Sequence, residues 1–230
     1  MIALLTYPAA FGQFSSSPFC TKAAWLLNLS GQTWRREDTL DPRMMPFAKL
    51  PVIRVEDRLI PDSDGIRTHL EAGGADFDHG LSDDDKAVSR AFIRMAEEHM
   101  YFHLVLDRWA NDDVWPVVRE TYFAGVPGLI RGLVTRQLRA KVLAGMNTQG
   151  LGRLNEAQRL ARIEPDIAAI TNRVRHREFL FGDRPTSADA SVAPVLSAIR
   201  ATPGMTLLKR YVEDNGILMG YLDRTQRTMG

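Results

Sequence analysis

The chain has 230 residues, 45% of them hydrophobic, enough to bury one large or two small cores. A formal net charge of +1 gives no basic field of the kind that nucleic-acid-binding proteins carry. The single cysteine excludes an internal disulfide and a multi-cysteine metal site, and so indicates a reducing, cytoplasmic location. We expect no membrane span, because no segment approaches ~20 consecutive apolar residues, and no signal peptide.

The N-terminal residues alternate between strand and helix patterns. Residues 2–7 form a nearly continuous apolar run, which predicts a buried central strand. After a loop at 9–16, Ser17 and Pro18 open an apolar helix, because serine is a favoured N-cap and proline a favoured first helical residue. Residues 33–40 are rich in charge and predict an edge strand.

Residues 49–66 predict a β-hairpin followed by a helix. Two short strands, 52–55 and 58–60, flank a polar turn. Pro51 opens the first strand, a position that confines proline to a sheet edge or to a cis bond. The backbone N–H and C=O of Leu50 are therefore expected to lie unpaired, where a short extended peptide can dock as an extra strand.

The helix that follows begins with a carboxylate and a hydroxyl, Asp62 and Ser63. Together with the free N–H groups of a helix start, they can hold one charged end of such a peptide. The pattern Leu50-Pro51 followed by Asp62-Ser63-x-x-Ile66 resembles the glutathione-binding half of the thioredoxin-like domain in glutathione S-transferases.

The resemblance implies a role for each residue of this pattern. The residue before the proline, Leu50 before Pro51, pairs with the cysteinyl unit of glutathione in that family. Asp62 and Ser63 hold the γ-glutamyl end. Lys49 is placed near the glycine carboxylate, although a solvated lysine explains it equally well.

The tetrapeptide Ser17-Pro18-Phe19-Cys20 resembles the Cys-Pro-aromatic-Cys active site of glutaredoxins, with serine in the first position. In serine-type transferases that first residue donates a hydrogen bond to the glutathione sulfur, which makes Ser17 the implied catalytic residue. A hydroxyl and a helix N-terminus both favour the thiolate, lowering a thiol pKa that starts near ~8.5. Replacement of the first cysteine disfavours disulfide reductase chemistry.

Other residues in this region compete for these roles. Ser17 taken alone is also a common helix cap. Ser15, Ser16 and Tyr7 offer alternative hydroxyls for activating the sulfur. Cys20 is interpreted as a buried small hydrophobe, with a redox-sensing thiol as the weaker alternative.

From Ser82 onwards, long helical patterns predict an all-helical domain. Thr186 and Asp189 form a capping box, a hydroxyl followed three residues later by a carboxylate. It resembles the Thr-x-Ala-Asp box of the transferase C-terminal domain, where its role is in folding. We therefore predict an α/β thioredoxin-like N-terminal domain over residues 1–75 and an all-α C-terminal domain over residues 82–230.

The first long helix of this second domain carries a histidine pattern. His99, His103 and Asp107 stack at four-residue spacing, which suits a metal, but no further motif supports a metal site. A core histidine or a substrate-pocket wall is the preferred interpretation, with Tyr101 as another lining candidate. Residues 97–109 are similar to the metaxin and failed-axon-connections branch of the superfamily, several of whose members are better known as transport or adaptor proteins.

The resemblance covers nearly the whole chain and implies a glutathione S-transferase-like enzyme. Glutathione is then the co-substrate, and its thiolate attacks a small electrophile bound between the domains. The alternative is a non-catalytic adaptor that kept the transferase fold. Family analogy suggests a homodimer. The electrophile and any protein partner stay open.

Overall fold

The structure is a computed structural model that describes every residue from 1 to 230. The N-terminal part consists of β1 (Ile2–Thr6), α1 (Pro18–Leu29), β2 (Trp34–Asp38), β3 (Val52–Val55), β4 (Arg58–Pro61) and α2 (Ser63–Ala72). The rest is helical: α3 (Asp83–Met95), α4 (Tyr101–Trp109), α5 (Trp115–Tyr122), α6 (Gly128–Gln149), α7 (Glu156–Val174), α8 (Ser187–Arg200), α9 (Leu207–Glu213) and α10 (Gly216–Met229). A π-helical turn joins α3 to α4. None of these helices combines the length and apolarity that crossing a bilayer requires.

The four strands form one sheet in the order β2-β1-β3-β4. β1 runs parallel to β2 and antiparallel to β3, and β3 and β4 form the hairpin. Every residue of β1 is buried, as its apolar run predicts, and the charged β2 lies at the sheet edge. The predicted combination of a thioredoxin-like domain and a helical domain is confirmed.

Helix α8 lies at the centre of the helical part, with every residue from 187 to 199 buried. Its capping box is formed: Asp189 Oδ2 accepts from Thr186 N and from Thr186 Oγ1, both at 2.8 Å. Asp189 Oδ1 accepts from Leu180 N and from the Tyr221 hydroxyl, both at 2.9 Å. Burial raises the pKa of Asp189, and these hydrogen bonds oppose the rise. One carboxyl group therefore joins α8, α10 and the chain before α8.

A buried ion cluster joins the two parts of the chain. Lys22 of α1 is 2% exposed, and its Nζ lies 2.6 Å from Glu97 Oε1 and 2.9 Å from Asp64 Oδ1. Asp64 also pairs with Arg90 and Arg94 of α3. Burial works against ionisation of Asp64, but Lys22 and the two arginines outweigh it and hold its pKa well below the usual range.

Candidate functional site

The backbone of Leu50, the second residue before β3, is unpaired. The Leu50–Pro51 peptide bond is cis. Neither the N–H nor the C=O of Leu50 makes a backbone hydrogen bond within the chain. The C=O of Pro51 accepts from Asp62 N at 3.1 Å, which brings the start of α2 beside the unpaired Leu50 backbone. A short peptide can therefore pair with Leu50 and reach the start of α2.

The start of α2 presents unpaired hydrogen-bond donors of the kind that bind an anion. Asp62, the N-cap, has a φ of 71°, a conformation that residues other than glycine seldom adopt and that is concentrated at functional sites. Its Oδ1 accepts from Asp64 N at 2.8 Å. The N–H groups of Ser63 and Gly65 make no backbone hydrogen bond within the chain, and the Ser63 hydroxyl makes no hydrogen bond there either. A carboxylate can take all three donors.

Ser17 occupies the predicted N-cap position of α1, but its side chain makes no capping hydrogen bond. Cys20 is fully buried, as predicted; burial raises the pKa of the thiol, and the surrounding hydroxyls act against that rise. The Ser17 hydroxyl therefore lies at the start of α1 without a capping hydrogen bond.

The competing hydroxyls are placed differently. Ser15 is buried, and its Oγ donates to the C=O of Tyr7 at 2.9 Å and accepts from Ser17 N at 3.3 Å. Burial raises the pKa of Tyr7 to about 12, so its hydroxyl stays protonated at neutral pH. Ser16 lies in the loop before the N-cap, where its C=O accepts from Arg108 at 3.4 Å. Of the three serines, only Ser17 combines a hydroxyl free of backbone bonds with the helix start.

One small apolar cluster joins the start of α1 to the residue before the cis-proline. Cys20 and Leu50 belong to it, and Tyr7 packs against it. The start of α1 and the unpaired backbone of Leu50 are therefore neighbours. Lys49, next to Leu50, is exposed and forms no ion pair, so its ammonium is free at the rim of this region.

Arg108 of α4 contacts the serine loop and carries no signal in the sequence. The side chain is 3% exposed, and it has no carboxylate partner. Its guanidinium donates to Ala198 O and the Tyr122 hydroxyl at 2.5 Å, and to Ser16 O at 3.4 Å. A buried cation of the helical part thus holds the serine loop. An arginine on a helix is interpreted as solvated by default, which explains why sequence reasoning missed it.

The predicted lining residues separate into two groups. Tyr101 stacks edge-on against Phe19 of α1, with ring centroids 4.7 Å apart, and burial raises its pKa to about 12. His99 instead bonds Asp166 of α7 at 2.5 Å, and His103 Nε2 lies 3.2 Å from His99 Nε2. Burial lowers the pKa of His103 to about 3, so it stays neutral. Both histidines therefore pack towards α7, which agrees with the interpretation as core histidines rather than as a pocket wall.

Asp107, the third member of the histidine pattern, has a structural partner. Its Oδ2 accepts from the Thr206 hydroxyl at 2.7 Å, and burial raises its pKa to about 6. No group of three or more histidine, cysteine, aspartate or glutamate side chains is arranged to hold a metal ion.

Comparison with known proteins identifies the family. The model of the glutathione S-transferase N-terminal domain matches residues 18–115, and that of the C-terminal domain matches residues 152–224. The isoprene-epoxide–glutathione S-transferase of Rhodococcus sp. (strain AD45) is 32% identical, over 99% of this chain and 98% of its own length. The chain belongs to the glutathione S-transferase family. This confirms the resemblance inferred from the sequence.

The chain is also similar to a solved transferase structure and, in sequence, to a metaxin. A crystal structure of glutathione transferase GSTFuA3 from Phanerochaete chrysosporium aligns with a TM-score of 0.64 and 20% identity, covering 98% of this chain and 96% of that one. Metaxin-2 of Homo sapiens is 22% identical over 69% of this chain and 61% of its own length. The metaxin branch recognised in the sequence is thus among the relatives of this glutathione S-transferase family member.

Proposed function

We propose that this chain is a glutathione transferase. Glutathione lies along the domain of residues 1–75, and a small electrophile is held against the domain of residues 82–230. The observation that supports this proposal best is the unpaired N–H and C=O of Leu50 beside the open start of α2. An extended tripeptide with a charged end is the ligand that such a pair of features selects.

Each part of glutathione then has a protein group to bind it. The Leu50 backbone pairs with the cysteinyl unit beside Pro51. The Ser63 hydroxyl and the free N–H groups of α2 receive the γ-glutamyl carboxylate, and Asp62 accepts from its ammonium. Lys49 offers its unpaired ammonium to the glycine carboxylate.

Ser17 is proposed to donate a hydrogen bond to the glutathione sulfur and so stabilise the thiolate. The thiolate forms a carbon–sulfur bond to the electrophile. A small epoxide is the first electrophile to test, because the Rhodococcus relative is named for one. The thiol proton passes to water, the carbon–oxygen bond of the epoxide breaks as the carbon–sulfur bond forms, and the resulting alkoxide takes a proton from water.

The assembly and the location are proposed from family analogy and from cysteine usage. A homodimer follows from family analogy. A cytoplasmic location follows from the chain's one free cysteine, which suits a reducing compartment.

Changing Ser63 to alanine is expected to weaken glutathione binding by roughly 10- to 150-fold, because a hydrogen bond to a charged group contributes about 1.5–3 kcal/mol. Titration calorimetry measures the Kd. The matched control is Thr68→Ala on the same helix, whose hydroxyl bonds only the C=O of Asp64. No binding by the wild type at several millimolar glutathione would exclude the transferase proposal, and an unchanged Kd in Ser63→Ala would remove Ser63 from the site.

Changing Ser17 to alanine is expected to lower kcat/KM for conjugation of a small epoxide by about 10²-fold, the size of effect seen when one donor to a developing anion is lost. The Kd for glutathione should change little. The thiolate absorbance of bound glutathione, followed against pH, should show a raised thiol pKa. Ser16→Ala is the control, and a loss confined to that variant would reassign the catalytic hydroxyl.

A non-catalytic adaptor is the second candidate, favoured by the similarity to metaxin-2. Under this alternative, the fold is kept and glutathione is not bound. The same titration on the wild type separates the two functions.

A further inference from the structure

Two of the lysine and arginine side chains are buried, and only one of them has a counterion. Lys22 is 2% exposed and pairs with Glu97 and Asp64. Arg108 is 3% exposed, and its guanidinium forms no ion pair. A guanidinium stays charged when it is buried, and charged side chains are seldom fully buried without a partner of opposite charge. Arg108 therefore places an unpaired positive charge inside the protein.

The carboxylate next to Arg108 in the chain does not pair with this guanidinium. Asp107 Oδ2 instead accepts from the Thr206 hydroxyl at 2.7 Å. Both residues belong to α4, and successive residues of an α-helix point about 100° apart around the helix axis. The carboxylate and the guanidinium therefore leave the helix in different directions, and Asp107 is not the counterion.

The hydrogen bonds of this guanidinium all go to neutral acceptors. The Ala198 C=O and the Tyr122 hydroxyl accept at 2.5 Å, the Thr202 hydroxyl at 3.3 Å and the Ser16 C=O at 3.4 Å. The centroid of the Phe11 ring lies 5.2 Å from the guanidinium carbon. These contacts fix the group in one position. Because neutral acceptors do not cancel a charge, the field of the guanidinium extends to the groups around it.

The guanidinium lies close to the proposed position of the glutathione sulfur. The Nη1 atom of Arg108 is 3.4 Å from the C=O oxygen of Ser16, the residue before Ser17. Standard bond lengths then place the Ser17 hydroxyl within about 9 Å of Nη1, and a sulfur bonded to that hydroxyl within about 12 Å. Over such a distance, at an effective dielectric constant of ~20, one positive charge lowers the pKa of a thiol by about 1.

The other titratable groups near the serine loop, residues 9–16, do not supply the missing negative charge. Burial raises the pKa of Tyr7 and of Tyr101 to about 12, and it also raises the pKa of the Cys20 thiol. The Tyr122 hydroxyl donates to the loop. Asp107, whose pKa burial raises to about 6, bonds elsewhere. The serine loop therefore lies beside a cation that no anion contacts.

We propose that Arg108 is a positioning residue for the glutathione sulfur. Its charge favours the thiolate over the thiol, and its hydrogen bond to the Ser16 C=O holds Ser17 in place to donate to that sulfur. The thiol proton passes to water, and Arg108 stays charged throughout. The inference rests on the proposed function and adds to it a residue of the helical domain. Ionisation of the thiol, although it takes place on the N-terminal domain, then depends on a cation of α4.

The thiol pKa of bound glutathione, measured from thiolate absorbance against pH, tests the role of the charge. Arg108→Met should raise this pKa by about 1. Arg108→Lys keeps the charge and should leave the pKa close to the wild-type value. Tyr122→Phe removes a contact to the serine loop but no charge, so its pKa should also stay near the wild type. The matched control is Arg173→Met, because the Arg173 guanidinium also lies over a ring, that of Phe181 at 4.6 Å, and donates to a C=O, that of Leu180 at 2.8 Å.

A second variant keeps the test decisive if Arg108→Met does not fold. Arg108→Gln removes the charge but retains an N–H donor for the C=O groups, and it should raise the thiol pKa in the same way. Glutathione binding with an unchanged thiol pKa in both uncharged variants would overturn the inference and leave the transferase proposal standing. A pKa raised equally in Arg108→Lys would show that the charge is not responsible, which also overturns it. No glutathione binding by the wild type would overturn both proposals.

Discussion

Replacing Asp189 with alanine should lower the free energy of unfolding by about 4 kcal/mol or more, because each buried donor left without an acceptor costs about 1–3 kcal/mol. The Asp189 carboxyl accepts from Leu180 N, from the Tyr221 hydroxyl, and from both the N–H and the hydroxyl of Thr186. All four donors lie in buried surroundings where water cannot replace the carboxylate. The loss is therefore expected to destabilise the whole helical domain.

Urea unfolding followed by circular dichroism measures the effect. Asp112→Ala is the control, because the Asp112 side chain is 88% exposed and its ion pair with Arg139 is of the surface kind, worth about 0–1 kcal/mol. A loss below about 1 kcal/mol in Asp189→Ala would show that water or repacking satisfies the four donors.

Replacing Lys22 with methionine should lower the free energy of unfolding by about 3–5 kcal/mol. This is the usual result of removing one partner from a buried ion pair. Glu97, 6% exposed, would keep only Arg94, whose Nη1 lies 3.7 Å away. Asp64 would keep both of its arginines. The main cost therefore comes from Glu97, at the contact between α1 and the helical part.

A second substitution tests this assignment. The double variant Lys22→Met/Glu97→Gln should recover part of the loss, because the unpaired buried charge is removed. Lys86→Met, at an exposed lysine without an ion pair, is the control. Equal stabilities of the single and the double variant would show that Glu97 does not carry the cost.

The measurement should be made near neutral pH. The pKa of Asp64 is held below its unfolded value of about 3.9. A carboxyl of this kind contributes stability above the unfolded pKa, and the contribution is lost as the pH falls through the lowered folded value. Acid conditions would therefore mix the titration of Asp64 with the effect of Lys22.

The local features of the site could be predicted from sequence. Leu50, Pro51, Asp62 and Ser63 lie within a short stretch, so a strand start, a turn and a helix cap suffice to place them. The capping box of Asp189 is local in the same sense, since its partner Thr186 is three residues away. The roles of Lys49, Leu50, Asp62 and Ser63 towards glutathione remain predictions that the titrations above address.

The other features of the fold and of the candidate site depended on contacts between residues far apart in the chain. Lys22 meets Glu97 across 75 positions, and Arg108 meets the C=O of Ser16 across 92. A local pattern records only that a residue is charged or apolar. Whether Arg108 is solvated or buried, whether His99 points to a pocket or to Asp166, and which face of α6 turns outward are decided by the elements packed against them. Burial makes a polar group take whichever partner the fold brings near, and only the tertiary structure specifies that partner.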